Sequence, residues 1–118
     1  MDVKGIGIDL VEIQKIREIG LEKFKNRILS EKEILEYNLI LNENRKETYL
    51  AGRFAAKEAL FKAFKKGDLT ANYKDFSILN DESNAPYVES KWTKDVKVLI
   101  SISHTKEYAT AFIIINTR

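Results

Sequence analysis

The stretch VKVLISISHTKEYATAFIII, Val96–Ile115, settles the architecture. Its first part alternates cleanly. Val96, Val98, Ile100 and Ile102 share one side, which is the period of a half-buried strand over Val96–Ser103. His104–Glu107 reads as a turn. Tyr108–Ile115 then returns as a β-branched, aromatic strand, so the two form a hairpin.

Working back from the hairpin, Lys74–Leu79 (KDFSIL) reads as a strand, and Tyr87–Glu89 as a shorter one entered through Pro86. Near the N-terminus, Lys4–Ile13 (KGIGIDLVEI) starts as a strand. Ile6, Ile8 and Leu10 lie on one face; Gly5, Gly7 and Asp9 lie on the other. Glu12–Ile19 has Ile13, Ile16 and Ile19 at helical spacing, and Gly20 stops it. Ser30 followed by Glu33 is a capping-box signature. It opens a helix over roughly Glu31–Leu41, with Ile34, Leu35, Leu39 and Ile40 as candidate core residues. A longer helix runs from about Glu43 to Lys66, ended by Gly67. The order is strand, helices, then a run of strands. That predicts an α+β fold with a mostly antiparallel sheet and helices packed on it.

The chain has 118 residues, which suggests a single domain spanning 1–118. A domain of this size buries only about two-thirds of its unfolded surface, so assembly with copies of itself would help. The net charge of +2 is too small to argue for nucleic acid. There is no cysteine, which excludes disulfides, a thiol nucleophile and a Cys-based metal site. No apolar run approaches the roughly 20 residues that span a bilayer, and the first residues lack the apolar centre of a signal peptide. The expected location is the cytoplasm, without membrane attachment.

The long helix carries a second signal, RFAAKEALFKAF, Arg53–Phe64. Leu50, Phe54, Leu60, Phe61 and Phe64 gather on one face as core. Another stripe holds Ala51, Ala55, Ala59, Glu58 and Lys62. Glu58 and Lys62 stand at i and i+4, side by side; the simple reading is an exposed ion pair. The alanines either face another packed element or leave room for a ligand. Beside such a surface a carboxylate can hold a metal and an ammonium a phosphate. Mg²⁺ takes one or two carboxylates with phosphate oxygens and water, and Asp9 is the second candidate. Read alone, Asp9 also fits a strand-end turn or the N-cap of the next helix. His104, the only histidine, fits either a surface residue or, with the hydroxyls of SHT, a phosphate contact. No G-x-S-x-G, P-loop or dinucleotide fingerprint is present.

Three separated segments, GIGIDLVEI, RFAAKEALFKAF and SISHTKEYATAFII, together resemble the holo-acyl-carrier-protein synthases, small bacterial 4′-phosphopantetheinyl transferases. Ala56-Lys57-Glu58-Ala59-Leu60-Phe61-Lys62 matches the family's A-K-E-A-x-x-K element, and Gly7-Ile8-Asp9 its G-I-D element. The resemblance spans essentially the whole chain. It implies transfer of the phosphopantetheine arm of coenzyme A to a serine of an acyl carrier protein, for fatty acid biosynthesis. It implies Mg²⁺, with Mn²⁺ tolerated, on Asp9 and Glu58, and Lys62 on the coenzyme's phosphates. These three residues would be catalytic. It implies a homotrimer with active sites between subunits. His104 and Thr105 would reach a coenzyme held largely by a neighbour, and Arg45, Arg53 and Pro86 would line the coenzyme site. Glu58 and a water on the metal are the candidate bases.

The carrier partner is acidic in that family. Here Lys15, Arg17, Lys23, Lys25 and Arg27, interleaved with Ile13, Ile16 and Phe24, offer a basic, partly apolar docking face. Lys15 matches a basic docking position of the family. Two other readings use the same residues: a non-enzymatic binding module, with Asp9 and Glu58 structural, and a Mg²⁺-dependent phosphodiesterase.

Overall fold

A computed structural model describes residues 2–64 and 72–118. The order is β1 (Val3–Glu12), α1 (Ile13–Ile19), α2 (Leu21–Ile28), α3 (Glu31–Asn38), α4 (Glu43–Ala63), β2 (Ser77–Asn80), β3 (Pro86–Glu89), β4 (Val96–His104) and β5 (Tyr108–Thr117). Short 3₁₀ turns at Tyr73–Asp75 and Lys91–Thr93 precede β2 and β4. The expected hairpin is β4–β5, and β1 adds to its other side, giving an antiparallel sheet of order β1-β5-β4. β2 and β3 form a separate antiparallel pair. The fold is α+β, as the element order predicts. No described helix is long and apolar enough to cross a membrane.

One face of the three-stranded sheet carries Ala109, Ala111, Ile113 and Ile115, all buried. α4 lies on this face. Its alanines Ala51, Ala55, Ala56 and Ala59 are fully buried, as are Leu50 and Leu60. The stripe of small residues therefore faces a packed element. That element is β1, and its glycines set the spacing. A Cβ on Gly7 would stand 1.9 Å from the Ala59 carbonyl oxygen, and one on Gly5 1.9 Å from that of Ala63. The glycines admit a helix backbone. The opposite face of β1 is open: Ile6, Ile8 and Leu10 are each about 60% exposed, and their β5 neighbours Phe112 and Tyr108 are exposed with them.

Several boundaries and burials differ from the sequence reading. α3 stops at Asn38. Leu35 and Leu39, expected in the core, are 68% and 81% exposed, while Glu33 and Tyr37 are buried. The Ser30–Glu33 capping box forms as predicted. Lys74 and Asp75 belong to a 3₁₀ turn, not a strand. The Asn72 side chain accepts from Lys74 N, and the Asp75 carboxylate accepts from Asn72 N. Such local bonds compete with strand pairing. α4 ends at Ala63, capped by Phe64; Lys66 and Gly67, where its end is predicted, lie outside the described residues.

The glutamate of the capping box has a second role. Glu33 is fully buried and its Oε1 accepts from Lys57 Nζ at 2.5 Å. Lys57, also fully buried, donates to Ile28 O (2.6 Å) and Tyr73 O (2.8 Å) as well. Glu33 accepts in addition from Ser30 N and, through Oε2, from Ile78 N. Burial pushes the Lys57 pKa down, and the Glu33 carboxylate opposes that shift. An ammonium with three acceptors and a carboxylate with three donors satisfy each other in a place water does not reach.

Two outcomes follow. Gly7→Ala forces β1 off α4 and costs about 3 kcal/mol or more, because the clash is with backbone; the urea unfolding midpoint measures it. Lys57→Met leaves Glu33 buried without its counter-charge and costs about 3–5 kcal/mol. A Lys57→Met midpoint equal to the parent's would mean that the pair is not holding these elements together.

Candidate active site

Asp9 sits in the middle of β1, opposite Ala111 of β5, and is partly buried. It is neither a strand end nor a helix cap; Glu12 holds the cap position of α1. The close approach of β1 to α4 brings Asp9 beside the last turns of that helix. Lys62 Nζ donates to Asp9 Oδ1 at 3.0 Å and to Ile8 O at 3.0 Å. The exposed Glu58–Lys62 pair that their spacing suggests does not form. Glu58 accepts instead from the hydroxyl of Tyr73, at 2.5 Å on Oε1.

Asp9 and Glu58 line one open cavity of about 490 Å³, with Lys15, Arg27, Phe54, Tyr73 and Tyr108 among its walls. Two acids 49 positions apart in sequence thus share a cleft. Each engages one oxygen with a donor of this chain, and neither second oxygen is bonded among the described residues. No cluster of three or more His, Asp or Glu side chains suited to a metal exists among the described residues. The donor set is therefore two carboxylates with water-facing oxygens. That matches the hard-oxygen, substrate-completed coordination of Mg²⁺ or Mn²⁺ rather than a closed structural site.

Tyr73 is the residue that sequence reasoning missed. Its ring packs against Phe54 and Phe61, with centroids at 5.6 and 5.5 Å. Burial first, then the bond to Glu58, pushes its phenol up to about 12, so it stays a neutral donor at ordinary pH. Nothing in the local sequence marks it, because the contact depends on how the segment before β2 returns to α4.

The residues expected around a coenzyme gather elsewhere. Arg45, Arg53, Pro86 and His104 line a second cavity of about 150 Å³, with Asn80 and Asn84. Arg45 and His104 also line a third, of about 470 Å³, with Thr105, Lys106 and Arg17. Arg45 and His104 are exposed. Arg53 is only 6% exposed and largely committed: Nε donates to Ile78 O, Nη2 to Asn80 Oδ1, and its guanidinium stacks 4.1 Å from the Tyr49 ring. Thr105 closes the β4–β5 turn, its hydroxyl oxygen accepting from Glu107 N and Tyr108 N.

The expected basic docking face is reduced. Ile13, Ile16 and Phe24 are buried core residues, so they offer a partner nothing. Gly20, with φ 103°, divides the region into two helices. Arg17 is tied to Glu47 through two bonds of 2.9 Å, and Lys25 to Glu22 at 2.7 Å. Lys15 and Arg27 remain exposed at the cleft that holds Asp9 and Glu58; the Lys15 side chain is 74% exposed, with Glu12 3.9 Å away.

Comparison with known proteins points one way. Residues 5–113 match the model of the 4′-phosphopantetheinyl transferase superfamily. The chain is 60% identical over 116 residues to the holo-[acyl-carrier-protein] synthase of Acholeplasma laidlawii, covering 98% of both chains. It is 49% identical to that of Onion yellows phytoplasma, covering 96% of this chain and 94% of the relative. Among solved structures it resembles the holo-(acyl-carrier-protein) synthase of Bacillus anthracis in complex with coenzyme A, at TM-score 0.89 and 36% identity over 98% of both chains. It also resembles that of Helicobacter pylori in complex with coenzyme A, at TM-score 0.78 and 31% identity, covering 94% of this chain and 99% of that one.

Proposed function

The chain belongs to the 4′-phosphopantetheinyl transferase superfamily, and from that premise we infer the reaction it carries out and the residues that perform it. The enzyme moves the 4′-phosphopantetheine arm of coenzyme A onto a serine of apo acyl carrier protein and releases adenosine 3′,5′-bisphosphate. The product serves fatty acid biosynthesis. The whole chain, residues 1–118, acts as one transferase domain. The observation that carries the assignment of the site is the meeting of Asp9 and Glu58 at one cleft, with Lys62 bonded to Asp9.

In the reaction the serine oxygen bonds to the phosphorus that carries pantetheine, and the pyrophosphate bridge to that phosphorus breaks. The electron pair leaves on the adenosine bisphosphate, and the serine proton passes to a base. Positioning and neutralisation of charge on the phosphate oxygens supply most of such catalysis. Asp9 and Glu58 would hold a divalent cation, Mg²⁺ or Mn²⁺, which would supply positive charge to offset that of the phosphates. Lys62, whose side chain is 57% exposed, can leave Asp9 and follow the leaving phosphate. His104 stands among Arg45, Pro86 and Thr105 rather than beside the two acids, so its role is to bind the coenzyme. Arg45 binds there too, while Arg53 shapes the site through its hold on Ile78 and Asn80. Lys15 and Arg27 flank the acid cleft and steer the acidic carrier towards it.

In this reading the active form is a homotrimer. Its support is the open sheet face, where Ile6, Ile8, Leu10, Leu99 and Phe112 together expose an apolar surface that a soluble monomer rarely leaves uncovered. The acid cleft and the His104 cavities are separate in one chain, and a site completed between subunits joins them.

Incubating the protein with coenzyme A, Mg²⁺ and an apo carrier protein should add the mass of the phosphopantetheine arm to the carrier, read by intact-mass spectrometry. EDTA and Glu58→Gln should each abolish the gain; a fully active Glu58→Gln enzyme, or cleavage of coenzyme A without any carrier, rejects the assignment. Analytical ultracentrifugation should give three times the chain mass, and Phe112→Asp, which places a charge on the open sheet face, should give single chains. A trimeric Phe112→Asp protein would put the interface elsewhere.

A further inference from the structure

We propose that Tyr73 is a positioning residue for the metal-binding carboxylate: its hydroxyl fixes Glu58 in the cleft and keeps it from pairing with Lys62. The inference rests on the reading of Asp9 and Glu58 as cation ligands and goes beyond it to a residue outside both sequence motifs.

The geometry is specific. Glu58 and Lys62 are one helical turn apart, a spacing at which opposite charges pair readily. Here they do not. Tyr73 donates to Glu58 Oε1 at 2.5 Å, and Lys62 turns to Asp9 Oδ1 and Ile8 O. Tyr73 is itself held at three points. Its carbonyl accepts from the buried Lys57, its ring lies between Phe54 and Phe61, and the Asn72–Asp75 bonds fix the turn that begins with it. A donor held so firmly orients the carboxylate that it touches. One oxygen of Glu58 is taken by the phenol, and the other is left for a cation. Without the hydroxyl, Glu58 is free to swing to Lys62. The cation then loses an oriented ligand, and Lys62 loses its freedom to follow phosphate. Groups that hydrogen-bond a metal ligand are worth about 10–100-fold in metal affinity.

The test is Tyr73→Phe, which removes the hydroxyl and keeps the ring that packs on Phe54 and Phe61. Mn²⁺ affinity of the full-length, coenzyme-free protein is measured from the electron paramagnetic resonance signal of free Mn²⁺. Glu58→Gln is measured in parallel. The circular dichroism spectrum and the melting temperature report on the rest of the structure. The expected result is Mn²⁺ binding weakened about tenfold in Tyr73→Phe, with the circular dichroism spectrum unchanged and no large fall in melting temperature. Glu58→Gln should weaken Mn²⁺ binding further. If Glu58→Gln loses Mn²⁺ and Tyr73→Phe binds it as the parent does, the role of Tyr73 is refuted while the metal reading stands. If Glu58→Gln binds Mn²⁺ normally, the metal reading fails and this inference with it. Loss of Mn²⁺ affinity together with a large fall in melting temperature in Tyr73→Phe would also overturn the proposal, since it indicates general disruption.

Discussion

The contact that everything else depends on is the approach of β1 to α4, backbone against backbone. It needs glycine on the strand and alanine on the helix at the same height. Gly7 meets Ala59, and Gly5 meets Ala63, with no space for a methyl group on the strand side. The strand alternates, so Asp9 is the next residue on that same face after Gly7. The face that the glycines open is therefore the one that delivers the acid to the helix. Lys62, one turn beyond Glu58, lies within hydrogen-bond distance of Asp9 for the same reason. The G-I-D and A-K-E-A-x-x-K segments are two sides of one contact.

Within the second segment the three charged residues divide their work by direction. Lys57 points inward and is spent entirely on folding: it binds α2 through Ile28 O, α3 through Glu33 and the turn before β2 through Tyr73 O. Glu58, the next residue, lies at the rim of the cleft. Lys62 reaches across to β1 with most of its length in solvent. The buried pair is costly to desolvate and is tolerated because every donor and acceptor is used. What it secures is the path of the chain: the same ammonium that neutralises Glu33 fixes the carbonyl of Tyr73, whose hydroxyl then meets Glu58.

The sequence made part of this legible. Alternation located β4, β-branched and aromatic content located β5, the capping box located the start of α3, and Gly20 marked the end of α1. The pairing of Asp9 with a distant glutamate was accessible through the motifs and is met by a shared cavity. Periodicity failed where a residue's partner is remote. Leu35 and Leu39 fit a core pattern but lie exposed, while Glu33 is buried by a lysine 24 positions away. The spacing of Glu58 and Lys62 predicts their pairing, yet each is captured by a different element. Lys74 and Asp75 read as strand because side-chain competition from Asn72 has no periodic signature. The apparent docking face dissolved for a related reason: Ile13, Ile16 and Phe24 have helical spacing, and that spacing serves the core.

A site that handles a pyrophosphate must carry strong charge yet survive without its ligands. In this chain each acid of the cleft is partly compensated by a group that can let go or stand aside. Lys62 reaches the partly buried Asp9 from solvent, and an ammonium that is itself largely exposed is easily exchanged. Tyr73 covers Glu58 with a neutral donor, which leaves the carboxylate's charge available. The irreplaceable pair, Lys57 with Glu33, is kept one layer deeper, out of reach of any substrate. Folding and binding thus draw on different charges within one six-residue span of α4.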